Sequence, residues 1–153
     1  MDSRFLTIKE GMPSMATPFS MSVVAGEAIP ANYVVHINSD TGIARKAHGD
    51  PMDPALVGFL YGFTQAAVAE NDVFDAQLVG YFKPHGLTVG GLSPIPIRLA
   101  YLTTEIANAG LITDIPPTTG PAILQELGKL FVKDSEVWCY FNPALRVLLN
   151  NGA

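Results

Sequence analysis

A chain of 153 residues can hold one domain with an ordinary core, but here 48% of the residues are hydrophobic, only 15% are charged and the formal net charge is −5. That leaves little charge to cover a monomer's surface: either the core is unusually large or apolar surface is buried against other subunits, and the second is the favoured reading. The negative balance argues against nucleic acid, which needs a basic footprint, and no apolar run reaches membrane-spanning length, so no membrane partner is expected.

Taken in order, residues 1–18 read as an N-terminal arm. Phe5-Leu6-Thr7-Ile8 reads as a short strand, after which Gly11, Pro13 and Pro18 make an irregular arm around Met12 and Met15. Such a segment cannot fold alone. It either frays or orders on a neighbouring subunit, and Phe5, Leu6, Ile8, Met12 and Met15 are its candidate contact residues. No basic stretch followed by an apolar one opens the chain, so no secretory leader is expected and the protein is expected to be made and kept in a cytosol-like compartment until assembly.

Residues 19–153 read as a single β domain. Phe19 to Val24 is a strand candidate, and Tyr33 to Ile37 is β-branched and aromatic, a second one. Asn38 to Gly42 has the composition of a hairpin loop, with Ile43 to Ala47 as the return strand. The apolar run Ala55 to Phe63 is interrupted by Gly58 and Gly62, which mark bulges or close backbone approach. Val73 to Val79 alternates, with Phe74, Ala76 and Leu78 on one face. Leu92 to Pro96 is extended, limited by its prolines to an edge or a connection.

The stretch from Arg98 to Val132 carries the plainest plan. Leu99 to Thr103 is a strand with Ala100 and Leu102 on one face; Asn108-Ala109-Gly110 turns the chain; Leu111 and Ile112 resume an extended path. Pro116-Pro117 forbids a helix, and a long strand with one glycine, Gly128, runs from Ile123 to Val132. Val137 to Phe141 is a further strand, while Pro143 to Leu149 suits a helical turn or a strand. Short strands at regular spacing with no long 3.6-residue period predict an all-β fold, a small antiparallel barrel or sandwich of β-tulip or jelly-roll type.

Chemistry is sparse. One cysteine, Cys139, excludes an intrachain disulfide and a cysteine-built zinc site, and its apolar neighbours predict a buried structural thiol. His36, His48 and His85 have no metal-ligand spacing. Asp40, Asp50, Asp53, Asp72 and Asp114 stand singly at turns, where aspartate is the default residue. Arg45-Lys46 reads as a solvated strand face. Val89 to Ser93 lacks the Lys-Ser/Thr of a phosphate loop, and no nucleophile elbow occurs. No cofactor, no metal and no enzymatic activity are expected. Tyr33, Tyr61, Tyr101 and Trp138 are the aromatics a glycan site would draw on, although their strand positions favour packing or an interface.

The order of punctuation resembles a known family. Gly26-Glu27-Ala28-Ile29 precedes the Tyr33 strand, and Asp40-Thr41-Gly42-Ile43 precedes its return. Val57-Gly58-Phe59, Ala66 to Val73 and Leu78-Val79-Gly80 follow. The Gly91-Leu92-Ser93-Pro94 loop then leads to Ala100-Tyr101-Leu102, Ala109 to Thr113, Pro116-Pro117 and Gln125 to Leu130. Over residues 19 to 141 this looks like the small β-modules of tailed-bacteriophage virion proteins, found in head decoration (cement) proteins, head fibres and some tail fibres. The usual Leu-Thr-Pro-Gly before a Tyr-Leu strand here reads Leu92-Ser93-Pro94-Ile95, without the glycine. The resemblance implies a structural virion protein, a homotrimer that binds the major capsid protein on the outer capsid surface after assembly in the host cytoplasm. Its alternative is a head- or tail-fibre or receptor-binding module of the same virion.

Overall fold

A computed structural model describes residues 19–50, 59–88, 98–144 and 146–149, and among them the chain is all-β, as the sequence predicts. The first five strands are β1 (Ser20–Ala25), β2 (Val34–Asn38), β3 (Ile43–Lys46), β4 (Phe59–Phe63) and β5 (Val73–Gln77). They close into a barrel in the order β1-β3-β2-β4-β5, with β5 pairing back on β1. The others are β6 (Gly80–Phe82), β7 (Arg98–Leu102), β8 (Ile112–Thr113), β9 (Ala122–Lys133), β10 (Glu136–Phe141) and β11 (Arg146–Leu149). These make a six-stranded sheet ordered β6-β10-β9-β7-β8, with β11 also on β9. The strand pairs are antiparallel except β1 and β3, which run parallel at Val24↔Ile43 and Ala25↔Ala44. The N-terminal arm with its five candidate contact residues, the start of the Ala55 to Phe63 run and the Leu92 to Pro96 segment lie outside the described residues.

Local chemistry accounts for the turns. Asn38 Oδ1 accepts the backbone N–H groups of Asp40 (2.9 Å) and Thr41 (3.2 Å), which closes the β2–β3 connection as an Asx turn, and Gly42 supplies a φ of 73°. Between β9 and β10 the chain reverses through Asp134 (φ 53°) and Ser135 (φ 63°). Two successive positive φ values make a tight turn whose twist matches that of the flanking strands. The predicted strand Val73 to Val79 is shorter than expected. It ends at Gln77, and Gly80, at φ 148°, redirects the chain so that Gly80–Phe82 joins the other sheet. The ambiguous C-terminal segment resolves as a strand, because Asn142 N–H and Ala144 N–H still bond to β9 (Leu127 O, 2.8 Å; Glu126 O, 3.1 Å) and carry the pairing across Pro143 into β11.

Two apolar clusters follow from strand alternation. Val23, Ala25, Ile29, Val35, Ile37, Ala44 and Ala76 fill the barrel. A larger cluster joins Val34, Tyr61 and Phe63, from the outside of the barrel wall, to Ala100, Leu102, Leu127, Leu130, Cys139 and Phe141 of the sheet. β2 therefore has no solvent face: Val34 and His36 point to the sheet, and Val35 and Ile37 point into the barrel. That explains its run of β-branched residues, since a strand buried on both sides need not alternate. Phe63 stacks on Phe82 (centroids 4.8 Å) and meets Phe141 edge-on (5.3 Å), which locks the layers at one end.

Backbone hydrogen bonds stitch the same boundary. Val34 N–H donates to Gly110 O, Gly110 N–H to Ala47 O, and Ala47 N–H to Val34 O (2.9, 2.7 and 2.9 Å). Gly49 N–H donates to Thr103 O (2.7 Å), and Gly49 O accepts Ile123 N–H (2.8 Å). A side chain at Gly49 would meet Ile123 O at 2.5 Å, so only glycine lets the strand-like segment pass this close.

Gly128 sits where β7 shifts register on β9, at φ 149°, and a Cβ there would collide with Tyr140 O. Gly42 has positive φ but open space around it. We expect Gly42→Ala to cost only the left-handed backbone penalty, about 1–2 kcal/mol. Gly128→Ala should cost clearly more, because backbone on β10 must also move. Urea unfolding of the two variants, compared at equal m-value, checks the ranking.

Candidate functional site

The residues that the sequence offers for chemistry are mostly structural. His36 and His48 are buried and meet edge-on with centroids 6.1 Å apart at the boundary between barrel and sheet. His48 Nδ1 accepts Asp50 N–H at 3.1 Å. His85 Nε2 bonds to Ala31 O at 2.8 Å, and its ring packs edge-on against Tyr33 (5.2 Å). Asp72 caps its own turn by accepting Ala69 N–H (3.0 Å), and Asp40 lies in the Asn38 turn. Asp114 does more than turn the chain: its carboxylate lies 3.4 Å from Arg98 Nε. Arg45 and Lys46 are tied down as well, Arg45 Nη1 to Gly26 O (3.0 Å) and Lys46 Nζ near Glu27 (3.8 Å). Among the described residues no group of three or more His, Cys, Asp or Glu side chains could hold a metal ion.

Cys139 is fully buried beneath the sheet, as its neighbours predict. Burial pushes its thiol up to about 12 from an ordinary 9.0, because the thiolate would sit without water. A cleft of about 510 Å³ at the β7–β8 end is lined by Thr103, Thr104, Glu105, Asn108, Thr113 and Pro116, among others. Glu105 Oε1 there accepts Asn108 Nδ2 at 2.6 Å. His85 also lines the cleft, with its Nε2 held on Ala31 O, and the threonine hydroxyls and single carboxylate can hydrogen-bond.

The most distinctive surface is the outer face of β6, β10 and β9. Strand alternation turns Val137, Cys139 and Phe141 inward, and Trp138 and Tyr140 outward. The register sets Trp138 opposite Phe131, and Tyr140 opposite Lys129 on one side and Tyr81 on the other. Tyr81 is 63% exposed; its ring lies 5.0 Å from Tyr140 and 6.0 Å, edge-on, from Phe131. Lys83 Nζ sits 5.5 Å from the Trp138 ring centre, within cation–π range, and 3.3 Å from Glu136 Oε2. Lys129 and Lys133 flank Phe131 along β9 and are exposed.

Two hollows mark this face. One, of about 500 Å³, is lined by Tyr81, Phe131, Lys133 and Trp138. The other, of about 610 Å³, lies beyond Lys83 and Glu136 and is lined by Asn32, His85, Thr88 and Ser135 with them. Of the aromatics considered from sequence, the structure brings only Trp138 here. Tyr61 is buried in the core, and Tyr33 and Tyr101 are half-buried elsewhere. Tyr81, Phe131 and Tyr140 were missed. Their signal was the alternation of Lys129-Phe131-Lys133 and Trp138-Tyr140 with buried partners, which shows a pattern of faces but not which face is wet.

Compared with protein-family models, curated proteins and solved structures, the chain matches none of them.

The unfolded chain releases the Cys139 proton near pH 9, whereas the folded chain holds it. Burial of this group therefore costs no stability below that pH and removes stability progressively from pH 9 toward 12, by up to about 1.4 kcal/mol per pH unit. We expect a disulfide-exchange reagent at about pH 8 to leave the native thiol unmodified and to titrate it fully in denaturant. A Cys139→Ala variant should show a shallower loss of stability above pH 9 than the parent.

Proposed function

We propose that this chain is a structural protein of a tailed-bacteriophage particle, a decoration (cement) protein that binds the major capsid protein on the outer shell as a homotrimer. The observation that carries the reading is the distribution of apolar surface. Phe19, Val24, Val73, Ile106, Ile115 and Leu148 are exposed on an all-β body that carries few charges. Surface of that kind belongs against other chains rather than in water. The resemblance of its turn order to virion β-modules supports the choice of particle, and the arm of residues 1–18, with Phe5, Leu6, Ile8, Met12 and Met15, is the proposed contact with capsid or neighbour.

The mechanism is mass action. A protein that binds only the assembled, expanded shell stabilises it by its binding free energy, and many weak copies sum over the particle. A head- or tail-fibre module is the second reading, favoured by the exposed aromatic and lysine face, which a pure shell clamp has no need to present.

Purified protein should sediment as a trimer and pellet with expanded empty shells. Shells stripped of it should rupture at lower temperature, and an unchanged melting profile would overturn the cement role. Removing residues 1–17 should abolish shell binding while leaving the circular dichroism of the β domain intact. Retained binding would move the contact onto the domain itself.

A further inference from the structure

We infer that the outer face of β6, β10 and β9 is a binding site for an acidic polysaccharide, in which aromatic rings take the sugar faces and lysines take the carboxylates. The charge of the site sets the ligand's sign. The chain carries nine Lys and Arg against fourteen Asp and Glu, yet Lys83, Lys129 and Lys133 converge on this one face, where Glu136 is already paired with Lys83. An anion is therefore drawn to this face.

The shape of the site sets the ligand's class. Lys129 and Lys133 lie four residues apart on one strand, about 13 Å, with the Phe131 ring midway. A polyuronate or polysialate carries a carboxylate on every sugar, so carboxylates a few sugars apart can meet the two lysines while the apolar C–H face of a sugar between them lies on Phe131. The Tyr81 ring stands at 87° to Phe131 and 47° to Tyr140, so the rings do not stack as a ladder, and Tyr81, Phe131 and Trp138 wall a hollow instead. Successive nucleobases need parallel platforms and a continuous basic track, and neither is present on this face. A protein partner fits less well, because lysine is depleted from interface cores, whereas here Lys83 lies over Trp138 and Lys133 lines the aromatic hollow. The adjoining hollow adds what saccharide hydroxyls require: the Asn32 amide, the Thr88 and Ser135 hydroxyls and the Glu136 carboxylate. Lys83 and Glu136 line this second hollow and Lys83 reaches over Trp138 of the first, so a chain of sugars crossing Trp138 meets first rings, then hydrogen-bonding groups.

This site does not depend on where the protein sits in a particle, and the full chain alone can be tested. Trp138 is the chain's one tryptophan, so its fluorescence reports occupancy of the face directly. The probes are polygalacturonate, alginate and polysialic acid, with neutral dextran and single-stranded DNA as comparisons. We expect a saturable change in Trp138 emission with at least one acidic polysaccharide, none with dextran, and loss of the response as salt rises. Lys133→Glu and Tyr81→Ala should each weaken binding about tenfold or more. Both side chains are exposed, so circular dichroism should stay at the parent value. Equal binding of dextran would overturn the role of the lysines. Tighter binding of DNA would reassign the face to nucleic acid. No response to any of the three acidic polymers would overturn the proposal.

Discussion

The boundary between barrel and sheet is the constraint on which the rest of the molecule depends. A five-stranded barrel of this size is filled by Val23, Ala25, Val35, Ile37, Ala44 and a few neighbours, a small interior of short side chains. The larger core lies outside it, where Tyr61 and Phe63 meet Phe82, Leu127, Leu130 and Phe141. Apolar burial there drives the layers together, but burial has no direction. The ring of backbone bonds through Val34, Ala47 and Gly110, and the two through Gly49, supply direction and fix one docking geometry. Each of these donors would be costly to bury unpaired, so the seam is specific as well as attractive.

From that boundary the outer faces follow. β9 is the spine of the sheet: at 12 residues it holds β7 along one edge and β10 with β11 along the other. Once Leu127, Leu130, Cys139 and Phe141 are committed inward, Phe131, Trp138 and Tyr140 have no choice but to face out. The aromatic face is thus a geometric consequence of the core, and Tyr81 joins it because Gly80 turns the end of the β5 run into this sheet. A strand from one layer completes the surface of the other.

An all-β chain with low charge and exposed apolar residues has two ways to stay out of aggregates. It can guard its edges, or it can bury that surface in an assembly. Val73 and Ile115 are both 70% exposed, with Asp75 on the same face of the Val73 strand and Asp114 next to Ile115 as nearby charge. The proposed virion role is the assembly solution. The lysine and aromatic face is of another character, with cations over rings and hydroxyls beside them, and it calls for a ligand rather than a lattice of like subunits.

The sequence by itself determined the class of the fold and most of its strands, because these depend on local chemistry. β-branched runs, Asn38 to Gly42, Asn108 to Gly110 and the Pro116-Pro117 break act within a few residues, and each stands where the sequence places it. The burial of Cys139 was legible from its neighbours, and the faces of Leu99 to Leu102 from alternation. Only the tertiary structure decided that Val73 to Phe82 divides between two sheets, that β1 and β3 run parallel, and that the last segment continues along β9. Those are pairing choices between residues far apart in sequence, and period-two alternation is blind to which face of a strand meets the core. For the same reason the candidate site was not legible. Tyr81, Phe131 and Trp138 come from three strands, and only the register of β6, β10 and β9 sets the Tyr81 and Phe131 rings 6.0 Å apart with Trp138 opposite Phe131 on one face.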